Sequence, residues 1–219
     1  MARPKSQLAQ DLITIQKAVD SFLKPLGFRK KGRTHNRHTA GGLTHAVNFQ
    51  MGQYPIGDHY VIPGTRESYY GKFWVNLGVL LPCVYQIERK QPPPDFVQEY
   101  DCTIRQRLGE LAYGEDRSFD LASNIEVVAK DVIELLDRYG LDFLEQFRTY
   151  QDVLSHYTEH GCLPFQNANR ASLEAAIIAF QTGNRELSIS LFAKAQTANH
   201  KGFQQHVAEI AKQLGINSP

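Results

Sequence analysis

The sequence predicts an α+β fold: an N-terminal helix packed on a small antiparallel sheet, followed by a C-terminal all-helical bundle of about five helices. Three observations carry that reading. Leu8, Leu12, Ile15, Val19, Phe22 and Leu23 recur at three- and four-residue steps, the spacing of one helix stripe. Thr44 to Met51 and Lys72 to Leu80 instead alternate with period two, as strands with one buried face do. From about residue 115 the helical spacing returns and persists. This divides the chain into an α+β domain, 1–114, and a helical domain or layer, 115–219.

The 219 residues suffice to bury a sizeable core. A hydrophobic content of 42% with 21% charged residues is that of an ordinary soluble globular protein. The formal charge of +1 supplies no global field for recruiting nucleic acid or an anionic membrane. Cys83, Cys102 and Cys162 are few, odd in number and widely spaced, which predicts free thiols in a reducing cytosol. The N-terminal segment is broken by Gln10, Asp11 and Lys17 and does not read as a signal peptide. No apolar run reaches the ~20 residues a membrane span needs.

Ser6 predicts the cap of the first helix, which Pro25 stops near Lys24. Gly27 turns the chain into a short strand through Phe28 to His35, and Gly41-Gly42 joins it to the next. Gly52, Pro55, Gly57, Pro63 and Gly64 spell a long loop over 52–71. Pro92-Pro93-Pro94 is a stiff connector. Asp101 to Gly109 reads either as a last strand or as the start of a helix. Ser123-Asn124-Ile125-Glu126 predicts a capping box opening a helix that Gly140 closes. A second helix spans Leu141 to about His160, and further helices cover about 168–182, 185–198 and 202–214. The run from Leu173 to Ala198 resembles one tetratricopeptide-type hairpin, and one hairpin makes no repeat array.

Four stretches together carry a family resemblance: Leu23 to Thr34, Val47 to Gln50, Phe73 to Val79 and Asp101 to Gly109. In order and spacing they resemble the bacterial family called domain of unknown function 4304, over roughly residues 6–112. The resemblance implies a small α+β domain adjoining interaction or immunity roles, and brings no catalytic residues with it. His35 stands where that family usually has an aromatic residue after its Gly-Arg-Thr corner.

The candidate site is the face of the two strands opposite the one the first helix is expected to cover. Val47, Phe49, Met51, Phe73, Val75, Leu77 and Val79 point to the helix, while Asn48, Gln50, Trp74 and Asn76 point away. Arg105 and Arg107 join them if the 101–109 segment adds a strand, and Arg33 lies at the nearby corner. Carboxamides offer donor and acceptor together, and an arginine fork suits carboxylate or phosphate. The plain alternative is a half-wet sheet face, or amides paired internally.

Lys24, Arg29, Lys30, Lys31, Arg33 and Arg37 form a basic corner, which reads better as protection of a sheet edge than as a nucleic-acid site. His156-Tyr157-Thr158-Glu159-His160 matches an inverted zinc-peptidase pattern with Cys162 close by. Its position at a helix end favours a dipole interaction instead, and neither metal nor other cofactor is expected. Asp101 is expected to pair with Arg105 or Arg107.

These readings predict a non-catalytic binding module of a bacterial cytoplasmic protein. It would recognise another protein or a small anionic ligand on the polar sheet face, with a homodimer also open. The competing expectation is a hydrolase or nuclease-like enzyme using Asp101, Arg105 and Arg107 on an anionic substrate.

Overall fold

A computed structural model describes residues 6–52 and 69–216. The α+β class holds: a first helix α1 (Gln7–Leu23) leads into an antiparallel sheet, and several helices follow. The strands are β1 (Arg29–Lys31), β2 (Thr34–His38), β3 (Thr44–Met51), β4 (Lys72–Leu80), β5 (Ile104–Arg107) and β6 (Phe119–Asp120). They run in spatial order β1-β2-β3-β4-β5, with β6 pairing antiparallel to the start of β4 through Lys72–Asp120 and Phe73–Phe119. The remaining helices are α2 (Pro82–Arg89), α3 (Leu108–Tyr113), α4 (Ile125–Leu135), α5 (Leu141–Glu145), α6 (Tyr150–His160), α7 (Ala168–Gln181), α8 (Arg185–Gln196) and α9 (Lys201–Gln213). The chain divides into two compact units, one of residues 1–37, 46–77 and 106–143, the other of 38–45, 78–105 and 144–219.

In the first unit the side chain of Ser6 caps α1 by accepting from the amide of Ala9, as its sequence predicts. Leu12, Ile15, Val19 and Leu23 are buried, and α1 packs on α4 through Val128, Ala129 and Val132. A row of rings crosses the sheet beneath α1. His35 meets Phe49 edge-on at 6.1 Å, Phe49 stacks on Phe73, and Phe73 stacks on Phe119 at 5.2 Å. The carboxylate of Asp20, on α1, lies 3.3 Å from the His35 ring, which places the helix over this face. His35 supplies the first ring of the row and is fully buried. At the end of the strand order, β1 carries Arg29, Lys30 and Lys31, the charge pattern of a guarded edge.

Several boundaries differ from expectation for local reasons. Asn124, not Ser123, caps α4, its side-chain oxygen accepting from the amides of Glu126 and Val127. Gly140 does not end a helix. It sits in a π-turn over 136–140, where an added Cβ would come within 3.0 Å of Leu136 and 3.3 Å of Leu108. A side chain there would push the two leucines aside by a few tenths of an ångström. The single helix expected over 141–160 is broken: Thr149 and Asp152 form a capping box that restarts the chain as α6. The 101–109 segment is both things in turn, β5 and then α3.

In the second unit α7 is the buried element, with every residue from Ala171 to Ala179 inside. Its small side chains let α8 approach closely enough for the Ser188 hydroxyl to donate to the Ala176 carbonyl at 2.8 Å. Gly183 at φ +83° and the Asn184 cap make the turn between them. Cys83, Cys102 and Cys162 are free. Burial pushes the Cys83 thiol up to about 11 and the Cys102 thiol well above its ordinary value, so both are inert. Among the described residues no helix is long and apolar enough to cross a membrane.

Burial holds the His35 imidazole below its ordinary pKa, opposed by the Asp20 carboxylate and helped by the charge of Lys30. The folded state keeps this ring neutral, while the unfolded chain takes up a proton from about pH 6.5 downward. Its contribution to stability is therefore complete above that pH and is lost as pH falls toward the folded value. Urea melts of wild type and His35→Phe at pH 7.5 and 5.5 should show the wild type losing more stability on acidification. Equal losses would mean that the ring is not buried neutral.

Candidate functional site

The polar face of the first unit lies on the reverse of the ring row. The Asn48 carboxamide on β3 donates to the Thr34 hydroxyl on β2 at 2.8 Å. The Asn76 carboxamide on β4 donates to Gln50 Oε1 on β3 at 3.0 Å. Beside this pair, Tyr69 meets the Trp74 indole edge-on at 5.1 Å, and the Arg107 guanidinium lies 5.4 Å from the centre of the same indole. Arg107 also donates to the carboxylate of Asp116. The strands that were expected to be neighbours are neighbours, and alternation places Asn48, Gln50, Trp74, Asn76 and Arg107 together.

Their accessibility is unequal. Asn76 is only 4% exposed and Trp74 only 7%, whereas Gln50 is exposed and Asn48 and Arg107 are half-buried. The buried amide is satisfied by the exposed one, as a group removed from water must be. The indole N–H is buried and meets no acceptor among the described residues. Arg33 is not part of this face, for its guanidinium reaches the sulfur of Met51, which lies on the same face of β3 as Phe49. The loop expected to roof the face over 52–71 has residues 53–68 outside the described residues.

Arg105 belongs to the second unit. Glu99 takes its guanidinium, which lies 5.5 Å from the ring centre of Phe165. Asp101 pairs with neither arginine: its carboxylate accepts from the Gln98 amide at 2.9 Å and closes a 3-10 turn. Glu99, six residues before Arg105, and Asp116, nine residues after Arg107, win the arginines because the turn aims Asp101 back at its own backbone. His156 and His160 stack at 4.3 Å, and the ring of His160 bonds to the carbonyl of His156. Among the described residues no group of three or more His, Cys, Asp or Glu side chains could hold a metal ion.

The second unit also contains a cleft of about 210 Å³ that the sequence did not announce, with Arg105, Thr103 and Asp101 on its wall and Glu88, Arg170 and Glu174 on its floor. Arg170 on α7 donates from Nε to Glu174 at 2.8 Å and from a terminal nitrogen to Glu88 at the end of α2. The only trace of this in the sequence is Glu174 itself, a lone charge within the apolar run from Ala171 to Ala179.

An α+β domain with a polar, partly internal sheet face is the class that fold and site define. The chain belongs to the family described as domain of unknown function (DUF4304), whose model matches residues 19–146. The match starts inside α1 and runs past α4 into the residues after α5, further than the four resembling stretches reach. No curated protein and no solved structure matches the chain.

Removing Asn76 should cost more than removing its exposed partner. Asn76→Ala leaves a cavity and frees the Gln50 carbonyl, and is expected to lower stability by about 1–3 kcal/mol. Gln50→Ala should cost roughly half of that or less, because water replaces an exposed side chain. Urea denaturation of the two variants checks the order, and an Asn76→Ala protein as stable as wild type would contradict an internal amide.

Proposed function

We propose that the chain is a non-catalytic binding module of a bacterial cytoplasmic protein, and that it recognises another protein on the polar face of its sheet. The observation that supports this is how the face is graded from inside to outside. Buried Asn76 and Trp74 hold exposed Gln50 and half-buried Arg107 in place, each by a specific contact. Side chains fixed in this way lose little freedom on binding, which is what makes a recognition surface effective. An arginine resting on an indole, as Arg107 rests on Trp74, pairs two residue types enriched at protein interfaces. Gln50 adds a group that can pair with either a donor or an acceptor of a partner backbone.

The arginine already has a carboxylate, so a small anion would have to displace Asp116 to reach it. A protein surface can instead engage Arg107 and Asp116 together, and this favours a protein over a free anion. The test is a pull-down from bacterial lysate with wild type and with Gln50→Ala/Arg107→Ala, using Lys130→Ala on the exposed side of α4 as control. A partner retained by wild type and by the control, and lost by the double variant, is the expected result. Identical partners for all three proteins would overturn the reading.

A further inference from the structure

The cleft of the second unit is built around an imbalance. Glu88 and Glu174 share one guanidinium, that of Arg170, so with both carboxyl groups ionised the trio carries one excess negative charge. Each carboxyl group also keeps one buried oxygen, Glu88 Oε1 and Glu174 Oε2, outside the Arg170 contacts and without a hydrogen bond of normal geometry, the Gln166 side chain approaching Glu174 and the His206 ring approaching Glu88. Gln166 adds a third such oxygen: its amide nitrogen donates to the Thr103 carbonyl at 2.7 Å, which leaves Oε1 without a donor. Glu174 is 2% exposed, and buried acceptors of this kind are normally paired.

The mouth is aromatic. Tyr85 lines it, and Tyr100 and Phe165 stand 69% and 68% exposed beside it. Phe165 holds its position at φ +62°, a conformation uncommon for a bulky residue. Of the other charges on the walls, Arg105 is neutralised by Glu99, Asp101 is held by the Gln98 amide, and Arg89 is exposed. The ring of His206 on α9 lies 3.8 Å from Glu88 Oε1.

We propose that this cleft binds a primary ammonium group, whose three N–H donors complement the unpartnered oxygens of Glu88, Gln166 and Glu174 and whose charge balances the Glu88–Arg170–Glu174 trio. An ammonium has three donors and no acceptor, which suits the oxygens of Glu88, Gln166 and Glu174 that Arg170 leaves over. An anion would meet those same bare oxygens and be repelled. A divalent ion would find two carboxylates with a guanidinium already between them. The rings at the mouth suit the alkyl stem and the charge behind it. The volume, about seven waters at roughly 30 Å³ each, admits a side chain and falls below what larger ligands occupy. The site lies in the second unit and does not depend on the polar sheet face.

Without a ligand, a proton can take the place of the missing cation. Burial pushes the Glu174 carboxyl up to about 7, against the pull of Arg170 and a hydrogen bond from the Gln166 side chain. The ammonium must displace that proton, so binding releases one and tightens as pH rises.

Isothermal titration of the full chain with n-butylammonium chloride tests this at pH 6 and pH 8. Saturable binding should be about tenfold tighter at pH 8, the ratio that a carboxyl titrating near 7 imposes. Buffers of different ionisation enthalpy should report proton release. Tetramethylammonium, which has no N–H, and n-butanol, which has no charge, should not compete. A blocked Gly-Lys-Gly peptide separates the two sources of the chemistry: tighter binding than butylammonium assigns a partner's lysine, and weaker binding a free amine. Glu174→Gln, and Glu88→Gln should the first variant fail to fold, should abolish binding. Absence of saturable heat, equal binding of tetramethylammonium, pH-independent affinity or an unaffected folded variant would each overturn the proposal.

Discussion

One buried carboxamide constrains the first unit more than any other group. Asn76 sits in a nine-residue strand with apolar neighbours, and its nitrogen must find an acceptor or lose the water it left. Gln50 on the adjacent strand supplies that acceptor. The same two strands meet on the opposite face through Phe49 and Phe73. A slip of one residue would turn the amides toward the rings and the rings toward the amides. The register is therefore fixed from both sides, and everything placed on either face follows from it. On one side that is the row from His35 to Phe119 beneath α1, and on the other the ordering of Trp74 and Arg107.

His35 shows how a chemical class can stand in for another without breaking the pattern. An imidazole is planar and can present its edge to Phe49 as a phenyl ring would. Unlike a phenyl ring it brings a titratable nitrogen, and the Asp20 carboxylate at the end of α1 faces it. The helix is thereby oriented on the sheet by a polar contact as well as by its apolar stripe.

Much of this architecture was legible because it depends on period. Alternation in Thr44 to Met51 and Lys72 to Leu80 separated the two faces correctly, and the stripe from Leu12 to Leu23 identified the element that covers one of them. What escaped the sequence depends on short-range chemistry or on distance along the chain. Pro82, just past the alternating run, gives no sign in the sequence that it is the first residue of α2, a position where its missing N–H costs nothing. Gly140 looks like a helix end in the sequence but sits in a tightly packed π-turn, since a glycine in sequence does not say whether φ or space favours it. Arg105 and Arg107 are two residues apart on one strand yet are taken by different carboxylates in different units. The cleft of the second unit was hidden because Glu88 and Arg170 meet across 82 positions, while Arg170 and Glu174 alone look like an ordinary pair one helical turn apart.

The internal amide is the feature on which the reading of the sheet stands, and side-chain hydrogen exchange addresses it without perturbing the fold. In a nitrogen-15 NMR experiment the NH2 protons of Asn76 should exchange with solvent far more slowly than those of exposed Gln50. Equal, fast exchange at both positions would show that the carboxamide on β4 is open to water, and the ordering of the polar face would have no basis.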